Sequence, residues 1–306
     1  MSSSDIDDLR TESFDQDRGL DDRTTREILE YMNQHDQGVP RAVAMAIPNI
    51  ARAVNLIAGR MKQGGRLIYV GAGSSGRLGV LDAAECPPTF GVGYDLVIGI
   101  IAGGGEALRR AVEYIEDSQD EGVQDVAHLG ITAMDSVVGI SASGRTPYVI
   151  GALEEAKRRG AATIAVSNNS ASKIGSLSDV AIDIDTGPEV LAGSTRLKAG
   201  TAQKLVLNML STTVMVQLGK VYQNLMVDMR ATNGKLVRRA IRIITAACQC
   251  SDADATRLFE DSHGDIKAAI VMGLLGLSYN EARQRLSRAN GYVRKALESD
   301  PGTELK

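Results

Sequence analysis

Tryptophan is absent from this chain, and with three phenylalanines and eight tyrosines among 306 residues the aromatics reach only 4%. A platform for stacking bases needs more rings than that, which argues against single-stranded nucleic acid as a ligand. Cysteines are also few, and the odd set of Cys86, Cys248 and Cys250 joins only three scattered histidines, His35, His128 and His263. No zinc-like spacing can be read from them, so no metal is expected. Positive charge is not in surplus: 34 Lys and Arg stand against 38 Asp and Glu, a formal net charge of −4. Nothing global attracts nucleic acid or an anionic membrane, and a phosphorylated ligand must be held by local donors. The longest nearly apolar run, Leu96 to Ala102, is too short to span a bilayer. The opening Met1-Ser2-Ser3-Ser4-Asp5 lacks a basic-then-apolar leader, so a cytoplasmic location is expected.

What the chain does have is two serine–glycine loops, each following an apolar strand pattern. Leu67-Ile68-Tyr69-Val70 leads into Gly71-Ala72-Gly73-Ser74-Ser75-Gly76-Arg77, and Val137-Val138-Gly139-Ile140 leads into Ser141-Ala142-Ser143-Gly144-Arg145-Thr146-Pro147. Small residues admit a ligand close to the backbone, hydroxyls donate without charge, and the start of the following helix offers unpaired N–H groups. Such loops suit a phosphate.

Around them the chain alternates short β-branched runs with helical stretches, the pattern of an α/β protein with a parallel sheet covered on both faces. Five strands are expected near 66–70, 96–101, 136–140, 162–166 and 180–184, with helices near 75–84, 105–118, 147–158 and 171–177. Two helical stretches precede the sheet, one capped at Thr24 and one from Val39-Pro40 to Met61 that Pro48 could split. A long apolar helix from Lys198 to Leu218 follows it and is suited to a core or a dimer interface. Three segments result: a polar arm at 1–22, mobile or partner-dependent; a sheet domain at 23–245; and a small helical bundle at 250–300, made of four short helices punctuated by Gly264, Gly276 and Asn290-Gly291.

Gly71 to Gly76 matches G-x-G-x-x-G, but the next strand ends in Ile100-Ile101-Ala102 without the acid that would hold a ribose. Neither loop is followed by Gly-Lys-Ser/Thr, so a Walker-type nucleotide site is missing too. Hydroxyls instead recur at three strand ends: Ser74 and Ser75; Ser141, Ser143 and Thr146; and Ser167 with Ser170 and Ser172. Isolated serines often merely cap helices, yet in a parallel sheet the carboxyl ends of the strands face one crevice, and the repetition there points to a shared ligand.

Ser141-Ala142-Ser143-Gly144-Arg145-Thr146 resembles the phosphate loop of sugar isomerase (SIS) domains. More closely, Gly71 to Gly79, Leu81-Asp82-Ala83-Ala84-Glu85-Cys86-Pro87-Pro88-Thr89, Val112 to Ser118 and the block Gly193 to Asn208 resemble the N-acetylmuramic acid 6-phosphate etherases, and the likeness runs from about Thr11 to Glu298. The resemblance implies a five-stranded, doubly wound SIS-type sheet with N-terminal helices, and a C-terminal bundle similar to a ubiquitin-associated fold. It implies cleavage of the D-lactyl ether of a phosphorylated amino sugar by elimination across C2 and C3 followed by addition of water. No cofactor is needed, and a homodimer is expected.

By correspondence with that family, Glu85 is the acid that helps lactate depart and Glu116 the base at C2, with Glu113 its near alternative and Glu189 a supporting site residue. The residues themselves speak for Glu85 in one way: Pro87 disfavours helical geometry at Cys86, so the helix is expected to end there and set the carboxyl against the negative end of its dipole. For Glu116 they are nearly silent, since Glu106, Glu113, Glu116 and Asp117 are expected on one solvated helix face. Ser141, Ser143 and Thr146 are expected to hold phosphate, with Ser74 and Ser75 on the sugar or sharing the phosphate. Arg77, Arg145, Lys198 and Lys204 are left open between ligand and salt bridge. Two other functions fit an SIS-type site: a non-catalytic sugar-phosphate sensor, and an aldose–ketose isomerase.

Overall fold

The structure is a computed structural model that describes residues 9–14, 19–112 and 114–298. In chain order its elements are α1 (Thr25–Asp36), α2 (Val39–Met61), β1 (Leu67–Gly71), α3 (Gly73–Phe90), β2 (Val97–Ile101), α4 (Gly104–Ala107), α5 (Gln119–His128), β3 (Ser136–Ser141), α6 (Pro147–Arg158), β4 (Ala162–Ser167), α7 (Lys173–Leu177), β5 (Val180–Asp183), α8 (Lys198–Gln217), α9 (Gly234–Cys248), α10 (Asp252–Asp261), α11 (Ile266–Leu275), α12 (Tyr279–Arg288) and α13 (Val293–Glu298). All five strands pair in parallel in the order β2-β1-β3-β4-β5. The expected strands are thus present, within a residue or two of their expected limits.

Contacts divide the chain into two compact units, Met1–Ala84 with Tyr94–Thr212, and Glu85–Gly93 with Thr213–Lys306. In the first, β1, β3 and β4 are buried along their whole length. Alternation sends Ile68, Val70 and Val137 into a cluster with Tyr148, Val149, Ala152 and Leu153 of α6, while Tyr69 turns the other way and meets α3. Both faces are therefore covered, as the apolar runs required. The second unit closes a core of its own around Val227, Ile244, Ile270, Val271 and Leu286.

Several expectations are corrected here. Pro48 does not split α2, which runs unbroken over 23 residues with Val39, Val43, Ile50, Val54 and Ile57 buried. By length and composition the stretch Thr25–Met61 could cross a membrane, but its apolar face is spent on the sheet, chiefly on β5. The helix expected over 105–118 is only α4, four residues long. Ser118 is instead an N-cap: its hydroxyl accepts the N–H of Glu121 and starts α5, a helix the sequence reading lacked, as it lacked α9. Glu106, Glu116 and Asp117 consequently share no helix, and Glu113 lies outside the described residues.

The arm at 1–22 is described only at 9–14 and 19–22. Its described part is docked where mobility was expected: Leu9 and Thr11 are buried, the Thr11 N–H donates to Asn169 Oδ1 at 3.4 Å, and Asn169 Nδ2 donates to Thr11 Oγ1 at 3.0 Å. Asn169 Nδ2 also donates to the Ala142 carbonyl at 2.9 Å, so the docked residues support the second serine loop.

Candidate functional site

β1 and β3 are neighbours, with Gly71 opposite Ile140, so the two serine loops leave adjacent strand ends. This is also where the strand order reverses, the usual place for a ligand in an open parallel sheet.

In the second loop three expected phosphate ligands meet. Ser141 Oγ lies 2.7 Å from Thr146 Oγ1 and 3.2 Å from Ser143 Oγ, and it accepts the Gly144 N–H at 3.0 Å. Gly144 has φ +68°, and a Cβ there would come within 2.3 Å of Ser172 Cβ, so only glycine allows this turn. Thr146 is the N-cap of α6, with Pro147 behind it and no side-chain capping bond of its own. Three hydroxyls therefore gather at the positive end of a 12-residue helix.

The first loop is tighter. A Cβ on Gly76 would fall 2.6 Å from the Gly71 carbonyl oxygen, so the chain turns directly from β1 into α3. Ser75 is buried and donates to Gln203 Oε1 at 2.8 Å; Gln203 Nε2 in turn donates to Asn168 Oδ1 at 3.0 Å. That hydroxyl is thus engaged within the protein, whereas Ser74 is half-buried. Arg77 donates to the Arg110 carbonyl at 2.9 Å, and Lys204 is exposed on α8.

Glu116 lies in the turn before α5, half-buried, and its carbonyl accepts the Tyr148 N–H at 3.1 Å. The Tyr148 hydroxyl donates to Asp125 Oδ2 at 2.5 Å, fastening α5 to α6, and burial pushes that phenol far above its ordinary pKa with the Asp125 carboxylate adding to the effect. The turn of Glu116 is therefore tied to the helix that begins at Thr146. No spacing in the sequence foretold this tie.

Glu85 corrects the sequence argument. α3 runs on to Phe90 through Pro87 and Pro88, so Glu85 is exposed inside the helix and not at its end. Pro87 and Pro88 remove the N–H groups that would bond the Ala83 and Ala84 carbonyls, but the fixed proline φ is itself helical and the Gly91 N–H still closes on the Pro87 carbonyl. The dipole argument for a protonated Glu85 has no basis in this geometry. Glu189 is almost wholly buried, and its two oxygens accept the N–H groups of Lys198 at 3.0 Å and Ala199 at 2.9 Å. It caps α8.

Two features went unread in the sequence. Asp82, buried on α3, accepts from Tyr69 Oη at 2.9 Å, Asn208 Nδ2 at 2.7 Å and Ser211 Oγ at 3.2 Å. Burial raises its carboxyl above the ordinary value, opposed by those three bonds and by the charge of Lys204. In the second unit Lys235, Arg238, Arg239 and Arg242 line a cavity of about 670 Å³ together with Leu225, Ile243 and Ala246. The signal in the sequence is a basic helix without a single acid.

Comparison with known proteins now places the chain. It matches the model of the glucokinase regulatory protein N-terminal SIS domain over residues 49–157, the SIS domain over 112–213, and the C-terminal lid domain of glucokinase regulatory protein over 223–268. The N-acetylmuramic acid 6-phosphate etherase of Geobacillus sp. (strain WCH70) is 55% identical over 281 residues, covering 92% of this chain and 95% of that protein. N-acetylmuramic acid 6-phosphate etherase 2 of Vibrio cholerae is 54% identical over 279 residues, 91% of either chain. Among solved structures, a phosphoheptose isomerase from Neisseria gonorrhoeae matches at 19% identity and a TM-score of 0.49, over 62% of this chain and 97% of that one. With identity above one half along nearly the full length of both partners, this chain belongs to the N-acetylmuramic acid 6-phosphate etherase family.

Proposed function

We propose that the chain cleaves the D-lactyl ether of N-acetylmuramic acid 6-phosphate, yielding N-acetylglucosamine 6-phosphate and D-lactate. The single observation that carries the site assignment is the gathering of Ser141, Ser143 and Thr146 at the start of α6, with the turn of Glu116 bonded to that same helix through Tyr148. Those hydroxyls and the helix end hold the phosphate, and Ser74 faces the sugar. Ser75 supports the loop through Gln203.

In the open-chain sugar the aldehyde acidifies the C2 proton. Glu116 takes that proton, the electrons move into the C1–C2 enol, and their return expels the oxygen at C3. Glu85 protonates that oxygen as lactate leaves. Water then adds at C3 of the unsaturated aldehyde and gives a proton back to Glu85, while Glu116, whose held proton exchanges with solvent, protonates C2. Each acid or base contributes on the order of 10²–10⁴-fold. Glu189 supports the site as the cap of α8. A cytoplasmic location and a homodimer belong to the same proposal.

The test is incubation with N-acetylmuramic acid 6-phosphate and assay of D-lactate. Wild type releases it; Glu85→Ala loses lactate release by about 10²-fold or more, and Glu116→Ala loses exchange of the C2 proton with solvent. Normal lactate release by Glu85→Ala sinks its assignment as the acid. Normal C2 exchange by Glu116→Ala moves the base elsewhere. Sugar phosphate binding without any lactate favours a sensor.

A further inference from the structure

α3 has a weak point in its own backbone. Pro87 and Pro88 withdraw the donors for the Ala83 and Ala84 carbonyls, so the ladder is thinnest on either side of Glu85. Gly76 and Gly79, earlier in the helix, let its backbone close directly on Gly71 and Tyr69 of β1, but that close contact lies ahead of the proline pair. Nearer the prolines the tertiary anchors of the helix matter most, and Asp82 is the buried polar anchor one turn ahead of Glu85.

Both oxygens of Asp82 are committed. Oδ2 accepts from Tyr69 on β1, and Oδ1 accepts from Asn208 and Ser211 on α8, at 2.7 to 3.2 Å. Directional bonds to one carboxylate from two sides add to apolar packing a resistance to rolling of α3 about its axis. A long side chain ends roughly 5–6 Å from the helix axis, so a roll of about 10° carries it about 1 Å. Misplacement of that size costs on the order of 10²-fold in rate.

We propose that Asp82 is a positioning residue for Glu85: its three hydrogen bonds to β1 and α8 set the angle of α3 and so aim the acid at the leaving oxygen. The inference rests on the proposed reaction, with Glu85 as its acid.

The experiment measures two steps on the same samples, lactate release and exchange of the C2 proton with solvent, for wild type, Asp82→Asn and Tyr69→Phe. Asp82→Asn lowers kcat for lactate release about 10–100-fold, with KM within about 3-fold and proton exchange retained. Tyr69→Phe removes one bond while conserving volume and gives a smaller fall, about 3–10-fold, in lactate release alone; it reports even where Asp82→Asn fails to fold. The double variant is no worse than Asp82→Asn, because both act through one network. Lactate release at the wild-type rate per folded molecule overturns the proposal. So does a parallel fall of release and exchange, which would mark Asp82 as merely structural. Absence of lactate from wild type fails the reaction itself and is distinguishable from either result.

Discussion

At the scale of single residues, Glu189 shows how one buried carboxylate completes a helix start. A helix start leaves N–H groups without partners, and the buried start of α8 cannot leave them to water. Glu189 takes two of them, those of Lys198 and Ala199. Glu189→Ala is expected to lower unfolding free energy by about 1–3 kcal/mol, and Glu189→Gln by less because an acceptor remains. Denaturant titration checks this; an unchanged midpoint would refute the capping role. The sequence revealed the glutamate and the helix but not their pairing, since eight residues of loop lie between Glu189 and Lys198 and no spacing rule covers them. Ser141 and Thr146 were legible for the opposite reason: five residues apart on one strand–helix turn, they had to meet.

At the scale of elements, α9 is the extreme case of charge. Lys235, Arg238, Arg239 and Arg242 occupy a helix without a single acid, and among the described residues none of the four has an acidic partner. Neighbours three and four apart repel, at about 0.2–0.5 kcal/mol for each pair. Arg238→Glu turns its contacts with Lys235 and Arg242 from repulsive to attractive, and is expected to raise the melting temperature at low salt, with the gain shrinking as salt screens it. A gain that does not depend on salt would refute the argument. The strands were legible because each is a short apolar run, buried throughout in β1, β3 and β4 and in part in the edge strands β2 and β5. α3 and α4 were not: proline was read as a stop at 87, and the charged run at 105–118 as a helix. In α3 packing and a permitted proline φ outweighed the missing donors; before α5 the Ser118 cap outweighed the charged periodicity.

At the scale of the whole molecule, the end of the sheet opposite the serine loops carries its own lock. Arg66, just ahead of β1, donates from Nε to Asp135 Oδ1 at 3.0 Å and from Nη2 to Oδ2 at 2.8 Å, just ahead of β3. Burial works to raise the Asp135 carboxyl, but bonds from the Arg66 side chain and from the N–H groups of Thr132 and Arg66 hold it below the ordinary value. A depressed folded value adds stability above the unfolded one, and that stability is lost as pH falls through about 4 toward the folded value. Asp135→Asn is expected to cost about 1–3 kcal/mol at neutral pH and to flatten the loss of stability between about pH 5 and 2. Denaturant titrations across that range check it; an unaltered slope would refute the lock. The lid match begins at 223, and the longer stretch of the second contact unit at Thr213.

The docked residues near the N-terminus bear on the order of assembly. Thr11 is made early, yet its partner Asn169 lies 158 residues further along the chain. Synthesis therefore delivers one half of this contact long before the other, and the support beneath Ala142 cannot close until Asn169, just past β4, has been made. The second serine loop, though local in sequence, is therefore braced through a contact that joins positions 158 residues apart.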